Sequence, residues 1–294
     1  MSKVAGRAAS SPRVYELGGR GPTLLLAHAT GLHGRVWGPM VERLREDFQC
    51  WAFDFRGHGD SPPLTTADQT WTGFAQDVVE VVEAHGLSNG YAFGHSLGGA
   101  VLAQAVLQLG VKFKAMYVYE PGVLAADRPA GLAESFVAAA ARRRASFASK
   151  TEALTSYATK PPMSRWDPAV LADYVEYGFR GVDAAQGDGV TLKCTPEAES
   201  WTFASGLAEE EVLAMGSFNF PVIMARGSQS TVVSMDQGAR LAGGLGTGRY
   251  EQLEGLDHWG PLEEPSRVAE HVRTGFIGAK KSHLSKEKED GQEH

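Results

Sequence analysis

Four short apolar runs, Thr23 to His28, Cys50 to Phe55, Gly90 to Gly94 and Ala115 to Glu120, recur through the first 120 residues, and each closes on a glycine-rich or polar turn. Short runs that are apolar throughout, rather than at every second residue, fit strands buried on both faces. Helical patterns lie between them: Trp71 to His85 places Phe74, Val78, Val81 and Val82 on one face, and Gly86 stops the helix. Parallel strands joined by helices constrain the fold to α/β, a doubly wound and mostly parallel sheet with ligands beyond the carboxyl ends of its strands. The rhythm stops after Pro121 and resumes at Pro221 to Arg226 and Arg249 to Leu253, before a last amphipathic helix from Pro265 to Ile277. The expected organisation is a core of residues 1–122 and 216–278, split by an inserted helical lid over 123–215 that has no clear strand, and a charged tail over 279–294.

Composition narrows the partners. Asp and Glu total 35 against 28 Lys and Arg, so the formal charge is −7, and no positive field exists to neutralise a nucleic-acid backbone or an anionic lipid surface. The expected partner is a small-molecule substrate, with no nucleic acid and no membrane span. Cys50 and Cys194 are far apart and lack CxxC or Cys/His spacing, which gives neither a disulfide framework nor a metal site. Met1 to Gly21 holds no apolar stretch of signal-peptide length, so a cytoplasmic location is expected. The tail from Ala279 mixes Lys with Glu and Asp and is expected to be disordered and solvated. Within the lid, the run Arg142 to Arg144 reads as a solvated face, and Trp166, Tyr174, Tyr177 and Phe179 read as helix packing.

The chemistry concentrates at Gly94-His95-Ser96-Leu97-Gly98-Gly99, which follows the strand Tyr91 to Phe93 and precedes the helix-like Ala100 to Leu109. This is the G-x-S-x-G nucleophile elbow in the context it requires. The serine occupies a tight turn, and Gly94 and Gly98 let the backbones pass closely. Ser96 then projects its hydroxyl above the sheet, and the Leu97 backbone N–H, at a helix N-terminus, is placed to stabilise an oxyanion.

Three further segments carry a resemblance. His28-Ala29-Thr30-Gly31, Asp54-Phe55-Arg56-Gly57-His58-Gly59-Asp60-Ser61 and Gly255-Leu256-Asp257-His258-Trp259-Gly260-Pro261 follow in the order and spacing of the α/β-hydrolase superfamily, which this chain resembles over about residues 12 to 278. The resemblance implies a second oxyanion N–H at Thr30, a structural role for His28 and for the Asp54–Ser61 turn, and a base at His258. Ala29 stands where the superfamily usually has glycine. No GxGxxG, P-loop, HExxH or EF-hand pattern occurs, and no cofactor or metal is expected.

The acid departs from the pattern. The family's usual aspartate, after the strand Pro221 to Arg226, is replaced by Thr231 in Gly227-Ser228-Gln229-Ser230-Thr231, and threonine cannot stabilise an imidazolium. Two carboxylates remain. Glu120 is favoured, because it ends a central strand at the catalytic face and some superfamily members place their acid there; Asp236 is the alternative. The expected function is a serine hydrolase acting through Ser96, His258 and Glu120 on a carboxylic ester, lactone or related acyl bond, with Trp37 and Trp259 lining an apolar pocket. A ligand-binding or signalling protein derived from a hydrolase, and acyl transfer or carbon–carbon cleavage on the same serine, are the alternatives.

Overall fold

An edge strand that the sequence pattern does not announce, β1 (Val14–Gly19), opens the fold. The computed structural model describes residues 11–65, 71–124, 131–182, 188–205, 208–209, 218–244 and 248–290. After β1 come β2 (Thr23–Ala27), β3 (Gln49–Phe53), β4 (Tyr91–His95) and β5 (Ala115–Tyr119), each within a residue or two of its apolar run. All five residues of β4 and of β5 are buried, as strands covered on both faces must be.

Helices α1 (Gly38–Leu44), α2 (Trp71–Ala84) and α3 (Leu97–Leu109) supply the first crossovers. In α2 the predicted stripe Phe74, Val78, Val81 and Val82 is at most 2% exposed. Each such side chain contributes about 1.5–3 kcal/mol by leaving water.

Between β5 and the second half of the sheet lies the insertion. It contains α4 (Leu132–Ala141), α5 (Lys150–Ala158), α6 (Pro168–Gly178) and α7 (Pro196–Ala204). It also contains strands, contrary to expectation. β6 (Val123–Leu124) pairs with β10 (Ala208–Glu209), and β7 (Ser146–Phe147), β9 (Val190–Leu192) and β8 (Phe179–Gly181) form a small antiparallel sheet. Segments of two or three residues are too short to show an alternating pattern. The expected boundary at 215/216 falls outside the described residues.

The core then closes with β11 (Val222–Gly227), α8 (Met235–Gly244), β12 (Gly248–Leu253), α9 (Gly260–Glu263) and α10 (Pro265–Asp290). The sheet runs β1-β3-β2-β4-β5-β11-β12 and is parallel except for β1, which pairs antiparallel with β3. One hydrophobic cluster joins α1 and α10 to one face through Met40, Leu44, Val272 and Phe276, and a second joins α2, α3 and α8 to the other. This is the doubly wound α/β architecture, with all carboxyl ends of the parallel strands at one edge.

The final helix corrects the expected disordered tail, because α10 continues through Ala279 to Asp290. The stretch is poor in apolar residues, but its lysines and glutamates are good helix formers that extend a helix already nucleated on the core. No helix among the described residues is long and apolar enough to cross a membrane.

Candidate active site

At the carboxyl edge the chain leaves β4 through Ser96, whose φ of 52° and ψ of −117° lie outside the usual regions for a side-chain-bearing residue. Among the described residues the only other non-glycine positions with positive φ are Asn89 and Glu120. Strained backbone persists where its surroundings enforce it, and it clusters at functional sites. Here the enforcement is visible. The Ser96 N–H donates to Tyr119 O at 3.0 Å, and Ser96 O accepts from Gly122 N at 2.9 Å and Ala100 N at 3.1 Å. The neighbouring glycines are required by contact: a Cβ on Gly94 would stand 2.6 Å from Gly99 N, and one on Gly98 would run into the Ala27 carbonyl.

Glu120 follows the last residue of β5, next to β11 in the sheet. Its N–H donates to Ala225 O at 2.8 Å, and its carboxylate, fully buried, accepts at Oε1 from Gly227 N at 2.8 Å. At Oε2 it accepts from the Ser230 hydroxyl at 2.6 Å and from His258 Nδ1 at 2.8 Å. A carboxylate can only accept, so this contact places the proton of neutral His258 on Nδ1 and leaves Nε2 as a free base. The His258 side chain is 12% exposed and Ser96 is half-buried, so a reactant can approach both. Asp236, the alternative acid, is exposed in the first turn of α8, and Thr231 is also exposed.

The His258 loop is tied to the core from below. His95 Nε2 donates to His258 O at 2.8 Å, and the Tyr119 hydroxyl donates to Asp257 O at 2.7 Å. Burial, with His258 as a second cause, pushes the His95 pKa well below that of a free histidine. Arg226 fastens the neighbouring loop, donating to Ser230 O, Val233 O and Gln252 Oε1 at 2.9–3.0 Å. His95, Ser230 and Arg226 were not legible as site residues. The groups they bond across the fold, His258 O for His95, Glu120 Oε2 for Ser230 and Gln252 Oε1 for Arg226, belong to other strands or their loops.

Other motif residues tie the loops at this edge together. His28 Nδ1 donates to Ala29 O at 2.8 Å and its Nε2 accepts from Phe55 N at 3.1 Å, which joins the loop after β2 to the loop after β3. Asp54 accepts from Gly34 N, the Tyr15 hydroxyl and Asp60 N, and Arg56 makes a two-pronged ion pair with Asp77. Thr30, in the loop after β2, and Leu97, the first residue of α3, are both buried.

Trp259 is half-buried with its ring 5.3 Å from His258 and 5.6 Å from Trp166. Trp37 corrects the sequence expectation of a pocket wall: it is 0% exposed and packs edge-to-face on Phe93, inside the core. Its large apolar side chain fills the space under β4 instead. A cavity of about 610 Å³ opens elsewhere, between Gly57–Leu64 and α7, with Lys193, Arg180 and Trp201 in its walls. None of Ser96, Glu120 and His258 lines it.

The family described as alpha/beta hydrolase fold matches residues 22–265, and the chain belongs to it. Among individual relatives, 3-oxoadipate enol-lactonase 1 of Acinetobacter baylyi is 21% identical over 257 residues, covering 87% of this chain and 88% of that protein. A pimeloyl-[acyl-carrier protein] methyl ester esterase of Aliivibrio salmonicida is 34% identical over 93 residues, but this match spans only 32% of the chain and 33% of the relative. The solved E-2-(acetamidomethylene)succinate hydrolase superposes with a TM-score of 0.74 at 19% identity, over 90% of this chain and 98% of that one, a likeness of fold.

Proposed function

We propose that the protein is a serine hydrolase that cleaves a carboxylic ester, lactone or related acyl bond of a small to medium apolar molecule through an acyl-enzyme. The observation that carries this reading is the 2.8 Å contact of His258 Nδ1 with buried Glu120, at the same carboxyl edge of the sheet as a serine on a strained elbow. Ser96 Oγ attacks the acyl carbon as His258 Nε2 takes its proton, and Glu120 stabilises the imidazolium that results. The backbone N–H groups of Leu97 and Thr30 hold the oxyanion. His258 then protonates the leaving alcohol, and water, deprotonated by the same imidazole, releases the acid and restores Ser96. The names of the enol-lactonase and methyl ester esterase relatives support acyl bonds as the substrate class. Trp259, half-buried against His258, favours an apolar group there.

The rival ligand-binding reading rested on the carboxylate missing at Thr231. Glu120 on His258 supports turnover over a binding role.

The test is covalent labelling of the native protein by a fluorophosphonate, with peptide mapping, alongside turnover of a short p-nitrophenyl ester. An adduct on Ser96, formed with loss of fluoride, together with ester turnover is expected; an unlabelled Ser96 overturns the reading. Added methanol separates hydrolysis from acyl transfer by the ratio of acid to methyl ester. Ser230→Ala removes one of the donors to Glu120 Oε2 and is expected to lower kcat about tenfold with little change in KM, measured by the same ester assay.

A further inference from the structure

The oxyanion loop after β2 is covered by the insertion, and the covering contacts converge on Gly31, the residue after Thr30. Gly31 has φ of +78°, and a Cβ there would stand 2.7 Å from Glu199 Oε1 and 3.2 Å from Arg143 Nη1. Glu199 lies on α7 and Arg143 just beyond α4, so two parts of the insertion meet over this one backbone position. Their side chains are paired at 2.6 Å and only 13% and 16% exposed. Arg143 also donates to the Tyr174 hydroxyl, while the Tyr174 carbonyl accepts from His33 Nε2 at 3.2 Å, at the far end of the same loop. The Gly31 backbone itself hydrogen-bonds Cys194. The arginine run read as a solvated face in sequence is thus not uniform: Arg144 is exposed, whereas Arg143 is held inside by a partner 56 residues further on.

These contacts give the pair a role beyond packing. Glu199 lies over the Gly31 backbone, next to the residue that carries the Thr30 N–H, and an oxyanion donor works only when it is held at hydrogen-bond distance from where charge develops. The pair itself is complete only when α4 and α7 are both docked, because a buried charge without its partner is unfavourable.

We propose that Glu199, backed by Arg143, is a positioning residue that sets the Thr30 N–H, so that the oxyanion hole forms only when the insertion is docked on Gly31. This rests on the serine-hydrolase reading above. Other faces of α7 stay available to the cavity, which is lined by Glu197, Ala198 and Trp201.

The experiment compares Glu199→Gln, which keeps the reach and loses the charge, with Glu199→Asp, which keeps the charge and withdraws the carboxylate from Gly31. Turnover is normalised to sites titrated with a fluorophosphonate, so that unfolded protein does not count, and Arg144→Ala is the control for an exposed arginine of the same run. The expected result is that Glu199→Asp lowers kcat per titrated site about tenfold, weakens an alkyl boronic acid by the same factor and leaves KM within threefold. Arg144→Ala stays within threefold of the native protein, and Glu199→Gln, which leaves Arg143 inside without its charged partner, also loses kcat per titrated site. Gln inactive with Asp native-like would assign the pair a purely electrostatic packing role and overturn the proposal. Equal activity in all variants, or a change confined to KM, would do the same. A native protein that takes no label and turns over no ester refutes the hydrolase reading instead.

Discussion

Glu120→Gln is expected to lower kcat by about 10⁴-fold, close to 5 kcal/mol of transition-state stabilisation, with KM changed little. The amide is nearly isosteric with the carboxylate, so the backbone at β5 and β11 has no reason to move. What changes is the field on His258. A neutral amide cannot balance the imidazolium, and its N–H₂ can turn toward Nδ1 and favour the tautomer that leaves Nε2 protonated. Ser96→Ala sets the floor of the series at about 10⁶-fold, because the remaining groups do not act independently of the nucleophile. Asp236→Asn is expected to remain within twofold, since Asp236 is exposed and makes no contact with His258 among the described residues. Measuring kcat and KM for one ester across the three variants checks the assignment. A Glu120→Gln enzyme within tenfold of native would remove Glu120 from the mechanism, and a large loss in Asp236→Asn would point to a rearranged loop after β11.

The carboxylate proposed as the acid shows where local sequence stops being informative. Glu120 is favoured over Asp236 already from its place at the end of a central strand, but its meeting with the loop after β11 follows only from β5 and β11 being neighbours. Their parallel register, Tyr119 opposite Ala225, brings Glu120 beside the loop after β11. The family's usual acid would leave from the end of β11, and Glu120 leaves from the adjacent strand, so both can reach the same imidazole. Ser230 on the β11 loop fits this geometry, since it donates a hydroxyl to Glu120 instead of the loop supplying a carboxylate.

The core strands were legible because a run buried on both faces is apolar at every position, and α2 was legible because its stripe repeats at the helical period. The insertion was less so. Its two- and three-residue strands carry no period, and its arginines look alike in sequence although Arg143 is buried against Glu199 while Arg144 is exposed. Trp37 shows the same limit: a tryptophan beside the oxyanion loop suits a pocket wall or the core, and only packing against Phe93 decides. In the final helix, composition correctly described a chain with little apolar surface, yet attachment to the packed segment before it was enough to continue the helix to Asp290.

Stability is expected to fall steeply on acidification below about pH 6.5, through histidines that the core keeps neutral. Burial pushes the His28 pKa down to about 3 and that of His58 down to about 4, and it also lowers those of His33 and His95. Below pH 6.5 the unfolded chain therefore binds protons that the native state refuses, so unfolding free energy declines as pH falls toward 4. At pH 5 the 1.5-unit gap from the unfolded value amounts to about 2 kcal/mol for His28 and about the same for His58, a large part of the 5–15 kcal/mol that holds a typical domain together. Asp77 and Glu263, whose burial raises their pKa values, act in the opposite direction and moderate the loss. His58→Gln isolates one contribution. The glutamine can still donate to Arg56 O, which His58 Nδ1 reaches at 3.1 Å, but it takes up no proton. Urea unfolding at pH 7, 6 and 5 should show a native protein that loses stability with each step. The variant's curve between pH 6 and 5 should be shallower by about 1 kcal/mol per pH unit. An unchanged slope would mean that His58 carries its proton in the folded protein, and the neutral cluster of His28 and His58, with rings 5.3 Å apart, would have to be redrawn as a charged one.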